Sequence, residues 1–417
     1  FYFIFIYFLW VLEKNDLIKT NKNCFSKYKI WHLMKNFNFI FSGNIFFGSD
    51  SIKKIDFILN EEGFNNLAIV IDHNLLGVKI IKNLIDQLCF KYNVHLVECR
   101  ISEPTYEVLD ENRLKNKDKQ IDVFIGIGGG SAIDMAKALS VLFTNNESAI
   151  SYRGFNKFVN PIKPIIAIPT TAGTGSEITP NASFIDTIEK KKLGINGEAI
   201  RPKYAILDPV LTLSCPKNPT ISAGVDSLVH ATEAFVAKKT NPMARLFAKQ
   251  GFATVINNLP LVINDLDNIE LRKNVMYGAF LSAIALMNSG TGPAAAMSYP
   301  LGVHYGVPHG IGGAIFLPLV IEYNINNGYY DYSELLQPIS KNDMPKKKQS
   351  EELLKYLKDT WSKLDIPKNL NQFGLFDKDI KDFVDGTMDL KGALDQNPIP
   401  FYEEQIDAVL KKLTKKK

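Results

Sequence analysis

A chain of 417 residues, 46% apolar and 22% charged, has the material for about two domains and none of the bias of a disordered or collagen-like chain. A net charge of +4, with no basic stripe interleaved with aromatics, excludes nucleic acid as the main partner. Cys24, Cys89, Cys99 and Cys215 are scattered without a CxxC pair, which excludes a zinc ribbon or disulfide frame and points to reduced thiols in the cytoplasm.

The first twelve residues, FYFIFIYFLWVL, are apolar, and Glu13, Lys14 and Asp16 end the run. A membrane span needs about 20 such residues. A secretory leader would need a basic start and a small-residue cleavage site, and neither is present. Residues 1–33 are expected to be a spurious extension with Met34 as the true start, a short membrane anchor being the alternative. NFNFIFSGNIFFG after Met34 predicts a hairpin.

A helical pattern over 51–59 leads to LAIVID (67–72), a buried strand ending in Asp72. A helix over about 75–90, the strand NVHLVECR (93–100) and a polar helix over about 104–118 follow. Asp72 has two readings: a carboxylate that holds ribose hydroxyls at a strand's C-terminal end, or a cap for the next helix.

The central stretch is DVFIGIGGGSAIDMAK, from Asp122 to Lys137. Four apolar residues read as a buried parallel strand, and a helix opens at Ser131. The glycines between them allow a sharp turn and a close approach to a bound group, and a helix N-terminus suits phosphate. The plain alternative is a connection without a ligand. The G-x-G-x-x-G fingerprint is not met, because Ser131 stands at its last glycine, so an ordinary Rossmann domain fits poorly. IIAIP (165–169) is a further strand, and TTAGTGSE after it is either a plain loop or the second wall of the same cleft. KKLGI (191–195) and YAILDP (204–209) are expected to close the α/β part.

From about Ser214 the pattern is helical, with no strand alternation to the end. The expected division is an α/β domain with a parallel sheet over 34–213 and an all-helical domain over 214–417, with 341–350 as a loop. The lysine runs at 346–348 and 415–417 are expected to be solvated. Asp226 and His230, four apart, share one helix face, so they form either a hydrogen-bonded pair or two ligands for Fe2+ or Zn2+. His309 stands before a glycine in an apolar stretch, and His304 lies five residues earlier.

GGGSAIDMAK, IPTTAGTGSE, DSLVHATEAF and PHGIGGAIFLPLVIEYN resemble the motifs of the iron-containing (group III) alcohol dehydrogenases, in the family's order, from Met34 to the C-terminus. The resemblance implies a dehydroquinate synthase-like fold with the active site in a cleft between an α/β and a helical domain. It also implies hydride transfer between NAD(P)H and an alcohol/aldehyde pair, in a homodimer or larger homo-oligomer. By that resemblance Gly129, Gly130 and Ser131 bind the pyrophosphate, and Asp134 and Lys137 belong to the same motif. Thr170, Thr171, Thr174 and Ser176 lie near the phosphates and nicotinamide, Lys192 approaches the ribose, and Asp72 favours NAD over NADP by repelling a 2′-phosphate. Asp226, His230 and His309 match three of four metal ligands.

Where the family has its fourth ligand, fourteen residues before His309, this chain has Ala295, and ten before it stands Tyr299. Three ligands and a water can hold a metal with an open position. Otherwise Tyr299 or His304, beside His309, takes over polarisation and proton transfer. The departures suggest a hydroxylated or sugar-derived substrate. Two other readings remain: a dehydroquinate synthase-like lyase that uses NAD and a metal without net oxidation, and a non-catalytic nucleotide-binding protein.

Overall fold

The computed structural model describes residues 36–41, 43–100, 103–340 and 343–415. The expectations for residues 1–33 and for Met34 as the start lie outside them. In chain order the strands and helices of the first half are β1 (Asn44–Phe47), α1 (Lys54–Glu61), β2 (Asn66–Asp72), α2 (Lys79–Lys91), β3 (Asn93–Cys99), α3 (Tyr106–Asn116), β4 (Val123–Gly128), α4 (Gly130–Thr144), β5 (Gly154–Phe155), β6 (Ile165–Pro169), β7 (Asn181–Asp186), β8 (Lys191–Asn196) and β9 (Tyr204–Leu207). Eight of the later helices matter here: α5 (Lys217–Val236), α6 (Pro242–Asn264), α7 (Ile269–Met287), α8 (Pro293–Tyr305), α9 (His309–Asn326), α10 (Ser333–Leu336), α11 (Lys346–Lys363) and α12 (Ile380–Met388). Two short helices, α13 (Lys391–Leu394) and α14 (Glu403–Thr414), complete the described chain. Among the described residues no helix is long and apolar enough to cross a membrane.

The main sheet has six strands in the order β1-β9-β6-β4-β2-β3, every neighbouring pair parallel. β4 is buried along its whole length, which explains its unbroken apolar run. Alternation sorts its side chains to two cores. Val123, Ile125 and Ile127 join Leu67, Ile69 and Ile71 on one face, while Phe124 joins Ala68 and Val70 under α4 on the other. The crossover from β2 runs outward to β3, and that from β4 runs the opposite way to β6. The carboxyl ends of β2 and β4 therefore flank the switch point of the sheet, where an open α/β sheet leaves a crevice for a ligand.

Two local expectations fail, and one expected strand stands in a sheet of its own. The hairpin after Met34 is a single strand, β1, parallel to β9 at the sheet edge. Instead of a partner strand, Phe39 stacks on Phe247 of α6 at 5.7 Å, and the backbone of Ile40 exchanges two hydrogen bonds with the Asn288 side chain. KKLGI is a strand but does not extend the main sheet. β8 pairs antiparallel with β7, and with β5 they form a separate three-stranded sheet. The signal lay in NASFID, whose alternating burial gives β7 one inward face, with Ala182 and Phe184 buried. The stretch 341–350 is not loop throughout. α11 starts at Lys346, because its apolar stripe of Leu353, Leu354, Leu357 and Trp361 draws the helix onto the core.

In the helical region α5 is buried almost all round and is the axis on which α6, α7 and α9 pack. Ile178, Ala205, Leu207, Met276, Leu281 and Ile284 form a further core cluster between the sheet and α7.

Candidate functional site

At the end of β4, Gly128 adopts φ +150, and a Cβ there would lie 2.9 Å from Ala132 Cβ and 3.0 Å from Asp72 Cβ. Only glycine lets strand, turn and helix pack so closely. Gly129 is the N-cap of α4, no acidic residue sits in the first turn, and Ser131 follows at its start, so the positive end of the helix dipole lies at the end of β4. The loop after β6 lies against this turn. A Cβ on Gly130 would meet Thr174 at 2.9 Å, and one on Gly129 would meet Thr171 Oγ1 at 3.4 Å. The two stretches are thus adjacent, as the two-walled reading expects. Thr170 continues the sheet, its N–H donating to Gly128 O at 2.9 Å.

Asp72 stands at the end of β2 beside Gly128. One carboxylate oxygen accepts from the backbone N–H and side chain of Asn74, at 2.9 and 3.0 Å. The capping role is present, and it leaves Asp72 at the crevice edge with its other oxygen outside that pair.

Asp134 and Ser176 are tied inside the protein. Ser176 Oγ donates to Asp134 Oδ1, and the Ser183 N–H donates to Asp134 Oδ2 at 2.9 Å. Fully buried Lys137 donates to Ser176 Oγ (2.9 Å), Thr179 O (3.0 Å) and Asn181 O (2.7 Å). This network pins α4 to the glycine-rich loop and to β7. Burial pushes the Lys137 ammonium down to about 8, against the pull of Asp134 and Glu177.

The helical wall carries Asp226 and His230 on α5 and His309 at the first position of α9. One donor atom from each lies within 4.8 Å of the others. His230 Nε2 is 3.5 Å and His309 Nε2 3.9 Å from Asp226 Oδ1. The glycine after His309 makes this meeting possible. A Cβ on Gly310 would lie 2.1 Å from Ser222 O and 2.8 Å from Asp226 Cβ, so any larger residue would push α9 off α5.

The donor spacing tests the fit to a metal. The 3.5 and 3.9 Å separations are longer than hydrogen bonds, so these donors do not satisfy one another. Two imidazoles and a carboxylate suit Fe2+ or Zn2+. The residues present therefore fit a divalent cation with three protein ligands. Ala295, 1% exposed on α8, brings only a methyl group.

Three side chains unnoticed in the sequence support this wall. Buried Glu233 on α5 accepts from the N–H groups of Gly292 and Ala294, each at 2.7 Å, and so anchors the start of α8. Burial raises its carboxyl to about 7 despite those donors. Ser298 Oγ is 2.6 Å from His309 Nδ1. Glu103 pairs with Lys192 at 2.5 Å, and Lys192 Nζ lies 5.7 Å from the centre of the Tyr299 ring. Burial works to lower the Lys192 pKa, but the charges of Glu103 and Tyr299 outweigh it and the net shift is upward.

Tyr299 sets its ring edge-on to His309, centroids 4.8 Å apart. Burial raises its phenol above the usual range, and it lowers the His309 imidazole to about 4. His304 is not brought to the three donors. It stands exposed at the end of α8, on a shallow recess that also takes in Tyr299, Leu193, Val303, Lys190 and Asp389.

Comparison with known proteins now bears on this geometry. Residues 42–209 match the family model for iron-containing alcohol dehydrogenase, and residues 220–414 match the C-terminal model of the Fe-containing alcohol dehydrogenase family. Over 298 residues the chain is 30% identical to 1,3-propanediol dehydrogenase of Citrobacter freundii, covering 69% of this chain and 76% of that protein. Over 322 residues it is 32% identical to 4-hydroxybutyrate dehydrogenase of Clostridium kluyveri, covering 75% and 84%. A crystal structure of a 1,3-propanediol oxidoreductase superposes with a TM-score of 0.86 at 25% identity, covering 91% of this chain and all of that one.

Proposed function

The chain belongs to the iron-containing alcohol dehydrogenase family and is a nicotinamide-dependent oxidoreductase of CH–OH groups, and from that premise we propose how its own residues divide the work. The carrying observation is the convergence of Asp226, His230 and His309 within 4.8 Å, next to Tyr299. When bound, the nicotinamide supplies hydride chemistry, and the Fe2+ or Zn2+ ion held by these three side chains supplies polarisation of the substrate oxygen.

The N–H groups at Gly129, Gly130 and Ser131 hold the pyrophosphate, and Thr171 and Thr174 line the facing wall. Asp72 accepts from the adenosine ribose hydroxyls and repels a 2′-phosphate, so NAD is preferred over NADP. Lys192, kept charged by Glu103, orients the nicotinamide ribose. Tyr299 stays protonated near neutral pH and donates from its phenol to the substrate oxygen. His304 shapes the recess, whose mixed lining favours an alcohol with a second polar group. The relatives named for 1,3-propanediol and 4-hydroxybutyrate fit that choice.

We place the reaction in the cytoplasm, on the scattered cysteines, which form no CxxC pair. A homodimer is supported by β1, the edge strand of the main sheet among the described residues, with Phe41 and Phe47 exposed.

NADH formation with short diols and hydroxy acids tests the reading. The metal-loaded protein should accumulate NADH, and Asp226→Ala should lose about a thousandfold in kcat/KM. Product formation without net NADH would favour a lyase, and no turnover with NAD or NADP would favour a binding protein.

A further inference from the structure

Ser298 lies on α8, one residue before Tyr299, and is 1% exposed. Its hydroxyl has two close neighbours: Ala295 O at 2.6 Å, one helical turn back, and His309 Nδ1 at 2.6 Å on α9. A hydroxyl has one proton, and a neutral imidazole carries one proton on one of its two nitrogens. If Ser298 donated to Nδ1, its oxygen would face the Ala295 carbonyl oxygen at 2.6 Å with no proton between them. The other assignment satisfies every group: Nδ1–H donates to Ser298 Oγ, and Ser298 Oγ–H donates to Ala295 O. It leaves His309 Nε2 without a proton, on the side facing Asp226.

We propose that Ser298 is a positioning residue that locks His309 in its Nδ1-protonated tautomer and so prepares Nε2 as a cation ligand. The proposal rests on the reading of Asp226, His230 and His309 as a cation site, and it adds a part that the three donors do not reveal. The proton ends on the carbonyl of Ala295, whose side chain supplies no ligand. Orientation of one remaining imidazole through this carbonyl strengthens a site with only three ligands. His230 has no such clamp, since its buried Nδ1 has no hydrogen-bond partner.

Ser298→Ala tests this with the packing kept, because the Cβ that lies against Gly312 remains. The full chain, labelled with 15N at its six histidines, is read metal-free by long-range proton–nitrogen correlation, with His309 assigned through His309→Gln. The wild type should show the Nδ1–H pattern for His309. Ser298→Ala should show a mixture or the Nε2–H form. Zn2+ affinity, measured by competition with a chromophoric chelator, should fall by about 10- to 100-fold. A wild-type His309 in the Nε2–H form, or an unchanged tautomer and affinity in Ser298→Ala, would overturn the proposal. A tautomer that follows Ser298 in a protein with no Zn2+ affinity would support the clamp and remove the cation reading instead.

Discussion

The wall around Gly128 to Ser131 is made of backbone, while the wall around Asp226 is made of side chains. In the first, closeness is the design. The positive φ of Gly128, the close approach of Gly130 to Thr174 and the buried Lys137 ties leave no room for larger residues. In the second, three donors face one another at 3.5 and 3.9 Å without hydrogen bonds. A backbone site is guarded by sterics along a whole turn, so this sequence keeps its motif intact. A side-chain site can change one residue at a time within an intact helical frame.

The largest way to break the comparison is on the backbone side. Lys137→Met would strand Ser176, two carbonyls and Asp134 in a buried setting and should cost about 3 kcal/mol of stability. Denaturant melts and NADH titration should both weaken, with metal content unchanged. The same lysine gives a pH signature. Its folded pKa, about 8, lies below the ordinary lysine value of 10.5, so between these values the unfolded chain binds more protons. Stability of the wild type should therefore gain from this group as pH rises from 8 to 10.5, and Lys137→Met should lack that gain. A smaller change sharpens the picture. Asp72→Gly should move the ratio of kcat/KM for NAD and NADP toward NADP by about tenfold, on the order of 1.4 kcal/mol, with metal content unaffected. An unchanged ratio would leave Asp72 as a turn cap only.

What the sequence made legible follows the same division. The strand–glycine–helix turn is local, so apolar run, glycines and helix start were readable in order, and β2 to α4 stand where expected. Asp226 and His230 were readable because four residues make one helix turn. That His309 joins them came from family likeness, since the meeting depends on Gly310 packing against Ser222. Glu233, Ser298 and Glu103 carried no signal: each acts on a residue that packing alone brings near, 59, 11 and 89 positions away. The β7–β8 hairpin was missed for another reason. A hydroxyl-rich loop runs straight into NASFID, and no turn signal separates the loop from the short alternation.

The central claim is that three ligands suffice, and metal content of the full chain, purified without chelators and reloaded with Fe2+ or Zn2+, tests it most directly. The expected result is about one equivalent per chain by mass spectrometry, lost in Asp226→Ala. No retained metal under either loading would contradict it, and would leave Tyr299, with Lys192 above its ring, as the group that meets the substrate oxygen.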